Sequence, residues 1–178
     1  MKKTLKLMVF AMLAFGMMAC SEKQLTIEDM EDAQASLFNE NQTMNLEIAP
    51  KVAKQYCRFV KQNPNDPNAP ALLFHAIEIN VALQEPDKCI EIGDQLMKQY
   101  PESIWAPRTL FCLANYVYDE QLHDLDKARE TYERLISDYP NSDLVEAAQK
   151  SIEYLGMSPD QILERIMVSQ MEVEDSEL

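Results

Sequence analysis

Apolar residues recur at helical spacing along this chain, and two segments repeat the same order of positions. In LDKARETYERLISDYP (125–140), Ala128, Tyr132 and Leu135 stand at i, i+4 and i+7, which places them on one helix face. The segment PDKCIEIGDQLMKQYP (86–101) has the same order of apolar and polar positions thirty-nine residues earlier. The proline that ends each segment stops a helix, because it lacks an N–H and restricts the preceding residue. Each segment therefore predicts an amphipathic helix that ends at a Tyr-Pro pair.

Further copies extend this pattern into a repeat. PKVAKQYCRFVKQNP (50–64) matches the helix segment thirty-seven positions upstream, and APALLFHA (69–76) aligns with APRTLFCL (106–113). A period of 37 to 39 residues is typical of helical-repeat arrays. The sequence predicts an all-α chain in which first helices run through 69–83 and 104–118. Ser103 and Ser142 follow the Tyr-Pro pairs and are expected to cap the next helix.

The segments that flank the repeats have the pattern of capping helices. Thr26 and Asp29 are spaced for a capping box, followed by an apolar stripe of Ile27, Met30, Ala33 and Leu37. At the other end, Gly156 is expected at the C′ position of a helix, and SPDQ (158–161) predicts a second capping box. Ile162, Leu163 and Ile166 are expected to cover the last repeat, because a terminal repeat must shield its apolar face. MEVEDSEL then forms an acidic tail.

The helix signature resembles that of the tetratricopeptide repeat. The matching positions are the small residue at 89 or 128, the aromatic at 132, the aliphatic at 96 or 135, and the proline at 101 or 140. The sequence YP-x-S after these helices is similar to that of the repeat variant found in outer-membrane-assembly lipoproteins of bacteria. The resemblance covers roughly residues 46–157 and implies a right-handed αα-solenoid of about three repeats with capping helices at both ends. It also implies a non-enzymatic scaffold that binds protein or peptide partners.

The N-terminus has the layout of a secretory signal, with basic MKKTLK, apolar LMVFAMLAFG and then Ala19-Cys20. This junction resembles the lipobox of bacterial lipoproteins, which implies a lipid anchor on Cys20; ordinary signal-peptidase cleavage nearby is the alternative. By resemblance to the sorting of enteric lipoproteins, Ser21 implies the outer membrane. We expect the protein to face the periplasm, and export to the cell surface in the manner of Bacteroidota stays open. The predicted divisions are 1–19 (signal peptide), 20–45 (anchor, tether, first helix), 46–157 (repeats) and 158–178 (capping helix and tail).

Charge and chemistry narrow the functional classes. The formal net charge of −14 argues against nucleic-acid binding and disfavours a surface that holds anionic lipid headgroups. The chain has two histidines, His75 and His123, and lacks a phosphate loop, a nucleophile motif or a paired metal spacing. HDLD (123–126) is interpreted as a solvated turn in which Asp126 caps the next helix. No enzyme activity, cofactor, metal or small-molecule substrate is therefore expected.

Three cysteines remain once Cys20 is set aside. Cys57, Cys89 and Cys112 form an odd set, so a single pair could bridge in an oxidising compartment. Cys89 occupies the position that Ala128 occupies in the next repeat, and a free cysteine packs as a small hydrophobe. We expect all three to be reduced packing residues.

The first helices are predicted to line a groove for a partner. Arg108, Asn115 and Tyr116 share one face at i, i+7 and i+8, and Glu78 and Ile79 match the last two of these in the preceding repeat. His75 and Trp105 complete the set of candidates. The alternative is that Trp105 and Tyr116 are core residues between repeats. Two functions stay open: an envelope scaffold that acts in outer-membrane protein assembly, or a permanent structural subunit of another envelope complex.

Overall fold

The computed structural model describes residues 23–176, and the side chains of residues 23–168. The predicted signal peptide, Cys20 and the last two residues of the acidic tail lie outside the described residues. The helices are α1 Ile27–Leu37, α2 Ala49–Gln62, α3 Ala69–Ala82, α4 Pro86–Gln99, α5 Trp105–Cys112 with a π-helical continuation Leu113–Gln121, α6 Leu125–Asp138, α7 Val145–Tyr154 and α8 Pro159–Ser176. Among the described residues β-type pairing is confined to an isolated bridge between Phe38 and Met44. The predicted all-α helical-repeat solenoid is confirmed.

The repeat sets the lengths and neighbours of the helices. Helices α2, α4 and α6 have 14 residues each and begin at positions 49, 86 and 125, which are the spacings of 37 and 39 that the sequence shows. Each helix packs on the next: α2 on α3, α3 on α4, α4 on α5 and its π segment, and α6 on the π segment and α7. Cys89 and Ala128 are both fully buried, because a small residue at that position lets neighbouring helices approach.

The tyrosine of each Tyr-Pro pair joins one repeat to the repeat before it. The Tyr100 hydroxyl donates a hydrogen bond to the carbonyl oxygen of Pro64 at 2.8 Å, and the Tyr139 hydroxyl donates to the carbonyl oxygen of Pro101 at 2.9 Å. A proline that ends a helix leaves its carbonyl without a helical partner, so an acceptor is available at each turn. The Tyr-Pro pair therefore both ends a helix and connects adjacent repeats.

Both predicted capping boxes are present. The Thr26 hydroxyl accepts from the backbone N–H of Asp29 at 3.3 Å, while the Asp29 carboxylate accepts from the N–H of Thr26 at 2.9 Å. Ser158 and Gln161 make the corresponding pair of bonds, at 3.3 and 2.8 Å. Gly156 directly follows Leu155, the C-cap residue of α7, and has φ +78°, as expected of a C′ glycine.

Three other predicted caps are wrong by one or two residues. Asp124, not Asp126, caps α6, since its carboxylate accepts from the N–H of Lys127 at 2.9 Å. Ser103 and Ser142 each accept from the backbone N–H two residues later, at 3.2 Å, which closes the turn ahead of the helix. The N-caps of α5 and α7 are Ile104 and Leu144, without a side-chain capping bond. A Ser or Asp side chain can accept a hydrogen bond from a backbone N–H of the first helical turn or from one in the preceding turn. Its presence in the sequence therefore does not define the first residue of the helix.

The terminal helices cover less apolar surface than the sequence predicts. Met30, Ala33 and Leu37 of α1 are buried, but Ile27 is 38% exposed. In α8, Ile162 is half-buried, whereas Leu163 is 58% exposed and Ile166 37%. Arg165 and Glu153 form an ion pair of 2.9 Å between α8 and α7, and Ile162 is the least exposed of the three predicted residues. The expectation that all three cover the last repeat is wrong.

Candidate partner-binding groove

A groove opens between the first helices of two successive repeats. It lies between α3 and α5 with its π segment, and it encloses a cavity of about 440 Å³. Its walls are mainly apolar and aromatic, with one acid and one base at the rim. They are formed by Phe74, Glu78, Val81, Arg108, Phe111, Cys112, Tyr116 and Leu144. A concave apolar site with few polar groups is the usual form of a binding site.

One end of the groove is a cluster of rings. The ring centre of Trp105 lies 5.1 Å from that of Phe74 and 5.5 Å from that of His75. The guanidinium carbon of Arg108 stands 6.0 Å from the centre of the Trp105 ring. These distances are those of aromatic pairs and of a cation–π contact. The cluster fixes the side chain of Arg108 above a flat apolar surface.

The polar groups at the rim are held by weak surface contacts. His75 Nδ1 lies 2.7 Å from Glu78 Oε2, with both side chains about half exposed. Arg108 Nη2 lies 3.6 Å from Asp143 Oδ2, with side chains 43% and 75% exposed. Ion pairs this exposed contribute little to stability because water screens them. A partner can therefore replace either contact at small cost.

The structure separates the predicted groove residues into two groups. Glu78, Arg108 and Tyr116 line the groove, and Tyr116 is 44% exposed. His75 and Trp105 adjoin it through the ring cluster. Ile79 is only 2% exposed and belongs to the core, so its predicted place on the groove is wrong. Asn115 does not line the groove either: its amide oxygen accepts from the Tyr132 hydroxyl at 3.3 Å, on the side of α6.

The π-helical segment explains the position of Asn115. The predicted face assumed 3.6 residues per turn from Arg108 to Tyr116, but from Leu113 the backbone bonds from i to i+5, as in the 2.9 Å bond from Leu122 N–H to the Val117 carbonyl. A wider turn changes which residues share a face, so Tyr116 stays on the groove while Asn115 turns away. π-Helical segments occur frequently at functional sites.

Five apolar members of the groove were not among the predicted residues: Phe74, Val81, Phe111, Cys112 and Leu144. Phe74 and Phe111 align in the repeat, within LLFHA and TLFCL, so the alignment contained a usable signal. Leu144 comes from the start of the following first helix and contributes because the three first helices share one side of the stack.

Two of the three clefts that are larger than the groove lie close to it along the chain, and they are less suitable as partner sites. A cleft of about 560 Å³ lies at the turns between repeats, and four of its lining residues carry ionisable groups: Glu102, Arg108, Asp138 and Asp143. Another, of about 650 Å³, separates the π segment from α7 and α8 and includes Asn115, His123, Lys150 and Ile162. Both are lined by turn residues or helix ends, so they offer a partner fewer aromatic contacts than the groove does.

Cys57, Cys89 and Cys112 are free thiols whose side chains pack between helices. Cys89 and Cys112 are buried and Cys57 is half-buried. Burial raises the pKa of Cys57 to about 11 and that of Cys89 and Cys112 to about 12, because a thiolate loses its hydration in the core. Within residues 23–176 no group of three His, Cys, Asp or Glu side chains is placed to hold a metal ion. Nor does any helix in that range have the length and apolarity needed to span a bilayer.

Comparison with known families matches one part of this architecture. The tetratricopeptide-repeat family model matches residues 116–142, which cover the end of the π segment, α6 and the Tyr-Pro turn. The chain thus contains a tetratricopeptide repeat. Repeats of this family are typically non-enzymatic modules that bind protein partners. Neither the curated proteins nor the solved structures contain a significant match to this chain.

Proposed function

We propose that this protein is a scaffold that binds a protein or peptide partner in the groove between α3 and α5. The observation that supports this function is the open groove itself, in which Tyr116 is 44% exposed and Val81, Phe111 and Leu144 are only half-buried. Glu78 and Arg108 stand on opposite walls. A partner helix or extended segment with an apolar face and polar flanks fits this arrangement.

We also propose that the scaffold is located at the cell envelope. The layout of residues 1–20 supports a lipid anchor on Cys20, and the YP-x-S turns resemble those of outer-membrane-assembly lipoproteins. We therefore propose an outer-membrane lipoprotein that faces the periplasm and assists outer-membrane protein assembly. Metabolic labelling with an alkyne fatty acid tests the anchor: the protein is expected to be labelled, and Cys20→Ser is expected to lose the label. An unlabelled wild-type protein would contradict the lipid anchor, but it would have no bearing on partner binding in the groove.

A permanent structural subunit is the second candidate. Leu163 and Met167 of α8 are 58% and 56% exposed and stand at i and i+4, so one side of the last helix is apolar. A stable complex would cover such a surface. The two candidates differ in which surface contacts the partner, the groove or α8.

A photocrosslinking residue at Tyr116 distinguishes these possibilities in intact cells. The matched control places the same residue at Glu133, an exposed position of α6. A scaffold that uses the groove is expected to crosslink one partner from position 116, not from 133, and to lose it when Arg108→Glu reverses the rim charge. Barrel-assembly proteins in that product would support the assembly role. A partner crosslinked from Leu163 and not from Tyr116 would favour the structural subunit and reject the groove.

A further inference from the structure

Helix α2 has a charge opposite to that of the rest of the chain. Its sequence, APKVAKQYCRFVKQ, contains four cations and no acid, in a chain of net charge −14. Lys51, Lys54, Arg58 and Lys61 are spaced so that they fall within about 80° of one another around the helix. The opposite side of α2 packs into the core through its apolar residues. The cations thus form a single cationic face, about 15 Å long, on a helix of 1.5 Å rise per residue.

Three of the four cations on this face are available to a partner. Lys51, Lys54 and Lys61 are exposed, and no carboxylate of the described residues forms an ion pair with them. Elsewhere the chain often pairs its lysines with neighbouring acids: Lys127 lies 2.8 Å from Glu130 and Lys150 lies 2.7 Å from Glu146. Glu91 of α4 lines the same cleft as Lys54 but forms no ion pair with it, so the cationic face keeps its charge.

The acids of the neighbouring helix α1 do not neutralise the cationic face. Met30, Ala33 and Leu37 are the buried residues of α1, and α1 packs on α2. The exposed acids Glu28, Glu31 and Asp32 lie around the opposite side of that helix. The remaining acid, Asp29, is held by Lys23 at 2.7 Å, which keeps the pKa of its carboxyl at about 2.

The N-terminal end of the described chain is fixed against the same helix. The Arg58 guanidinium donates to the carbonyl oxygen of Lys23 at 2.8 Å. The amide of Gln62 donates to that carbonyl at 3.3 Å and accepts from the N–H of Leu25 at 2.8 Å. Leu25 is buried. Because Cys20 is three residues before Lys23, an extended chain can separate them by only about 10 Å.

We propose that the cationic face of α2 is a docking surface for anionic lipid headgroups of the membrane that holds the N-terminus. The lipid anchor belongs to the proposed function and would bring α2 to the bilayer, while the lysines would make the contact. The net charge of −14 disfavours lipid binding by the chain as a whole, but salt screens charge beyond about 8 to 10 Å, so lipid phosphates at this face respond to the local lysines more than to distant acids. None of these cations lines the groove, which stays open to a protein partner.

Unanchored protein provides the test, because a bound acyl chain would hide the contribution of the lysines. The chain from Ser21 onward is suitable, since the hydrophobic core lies within residues 25–155. Its binding to vesicles of phosphatidylethanolamine and phosphatidylglycerol is compared with its binding to neutral phosphatidylcholine vesicles. Binding is expected only to the anionic vesicles, and it should weaken steeply as salt is raised.

Charge reversal then locates the surface. Lys54→Glu with Lys61→Glu is expected to weaken binding at least about thirtyfold, which corresponds to about 1 kcal/mol for each lysine at an anionic surface. The matched control, Lys98→Glu with Arg129→Glu, makes the same change in net charge at exposed positions of α4 and α6 and should retain most of the binding. Lys54→Gln with Lys61→Gln is a milder pair, and circular dichroism checks that each variant is folded.

Three results would overturn the proposal: no binding to anionic vesicles at low salt, equal loss in the control pair, or a dimer that dissociates in the α2 pair. The last would show by light scattering that a second copy occupies this face. These results are separate from those for the proposed function. A failure to crosslink a partner in the groove, or to label Cys20 with fatty acid, does not alter the vesicle binding of the unanchored chain.

Discussion

Gly93 shows how closely two helices approach in this fold. It is buried in α4, and a Cβ atom there would lie 2.7 Å from Leu113 Cδ1 and 3.4 Å from Thr109 Cγ2. We expect Gly93→Val to lower the free energy of unfolding by about 1 to 3 kcal/mol, because a branched side chain overpacks this contact. The neighbouring Asp94→Val makes the same side chain at an exposed site and is the control. Equal denaturation midpoints for the two variants would contradict the close approach.

The buried thiols are expected to be unreactive at neutral pH. Because the folded pKa values of about 11 to 12 exceed the ordinary value of 9, native Cys57, Cys89 and Cys112 stay protonated well above neutrality. Native protein that starts at Ser21 should react slowly with a thiol reagent, and denatured protein should react at three sites. The raised pKa values of the folded thiols also make stability depend on pH. The free energy of unfolding should have its full value below pH 9 and decline as the pH rises through 9 toward the folded pKa values, because only the thiols of the unfolded chain ionise in that range. Rapid reaction of the native protein at neutral pH would show that the helices open.

At the level of the helices, the tyrosine contacts connect adjacent repeats. Tyr100→Phe and Tyr139→Phe each remove a hydroxyl that donates to a carbonyl of the preceding repeat. Each variant should lose about 1 kcal/mol of stability, the usual net value of one hydrogen bond. Tyr116→Phe is the control, since no hydrogen bond of the Tyr116 hydroxyl is found among the described residues. Urea unfolding measures all three, and an unchanged midpoint in the first two variants would indicate that water replaces these bonds.

The sequence predicted the second helices of the repeat better than the first. Helices α2, α4 and α6 have a clear polar side, so apolar spacing fixed both their existence and their inner face. Helix α3 and residues 104–118 are mainly apolar, and the periodicity of such a segment does not indicate which of its faces is exposed. Ile79 was placed on the groove for this reason. Asn115 was misplaced because nothing in the periodicity indicated the change from α to π geometry.

Across the described part of the molecule, burial is concentrated in the middle of the stack and is lowest in the helices at its C-terminal end. Helix α3 buries eight residues and α2 six, whereas Ala148 is the buried residue of α7. A solenoid repeat is stabilised by its neighbours, so a helix with one neighbour and little buried surface has less to lose on opening. The exposed Leu163 and Met167 show that α8 adds little cover at that end. Stability should therefore be lowest at the C-terminal end of the stack, in α7 and α8.

Hydrogen exchange tests this gradient directly. We expect the backbone amides of α2, α3 and α4 to exchange by global unfolding, and those of α7 and α8 to exchange faster through local opening. Ala148→Gly should accelerate exchange in α7 and leave α3 unchanged, because it removes the one buried side chain of that helix. If α7 exchanged as slowly as α3, the repeats would unfold as one cooperative unit. If instead a groove-bound partner slowed exchange in α7, Leu144 would link partner binding to the stability of the last repeat, since it lies at the start of that helix and on the groove wall.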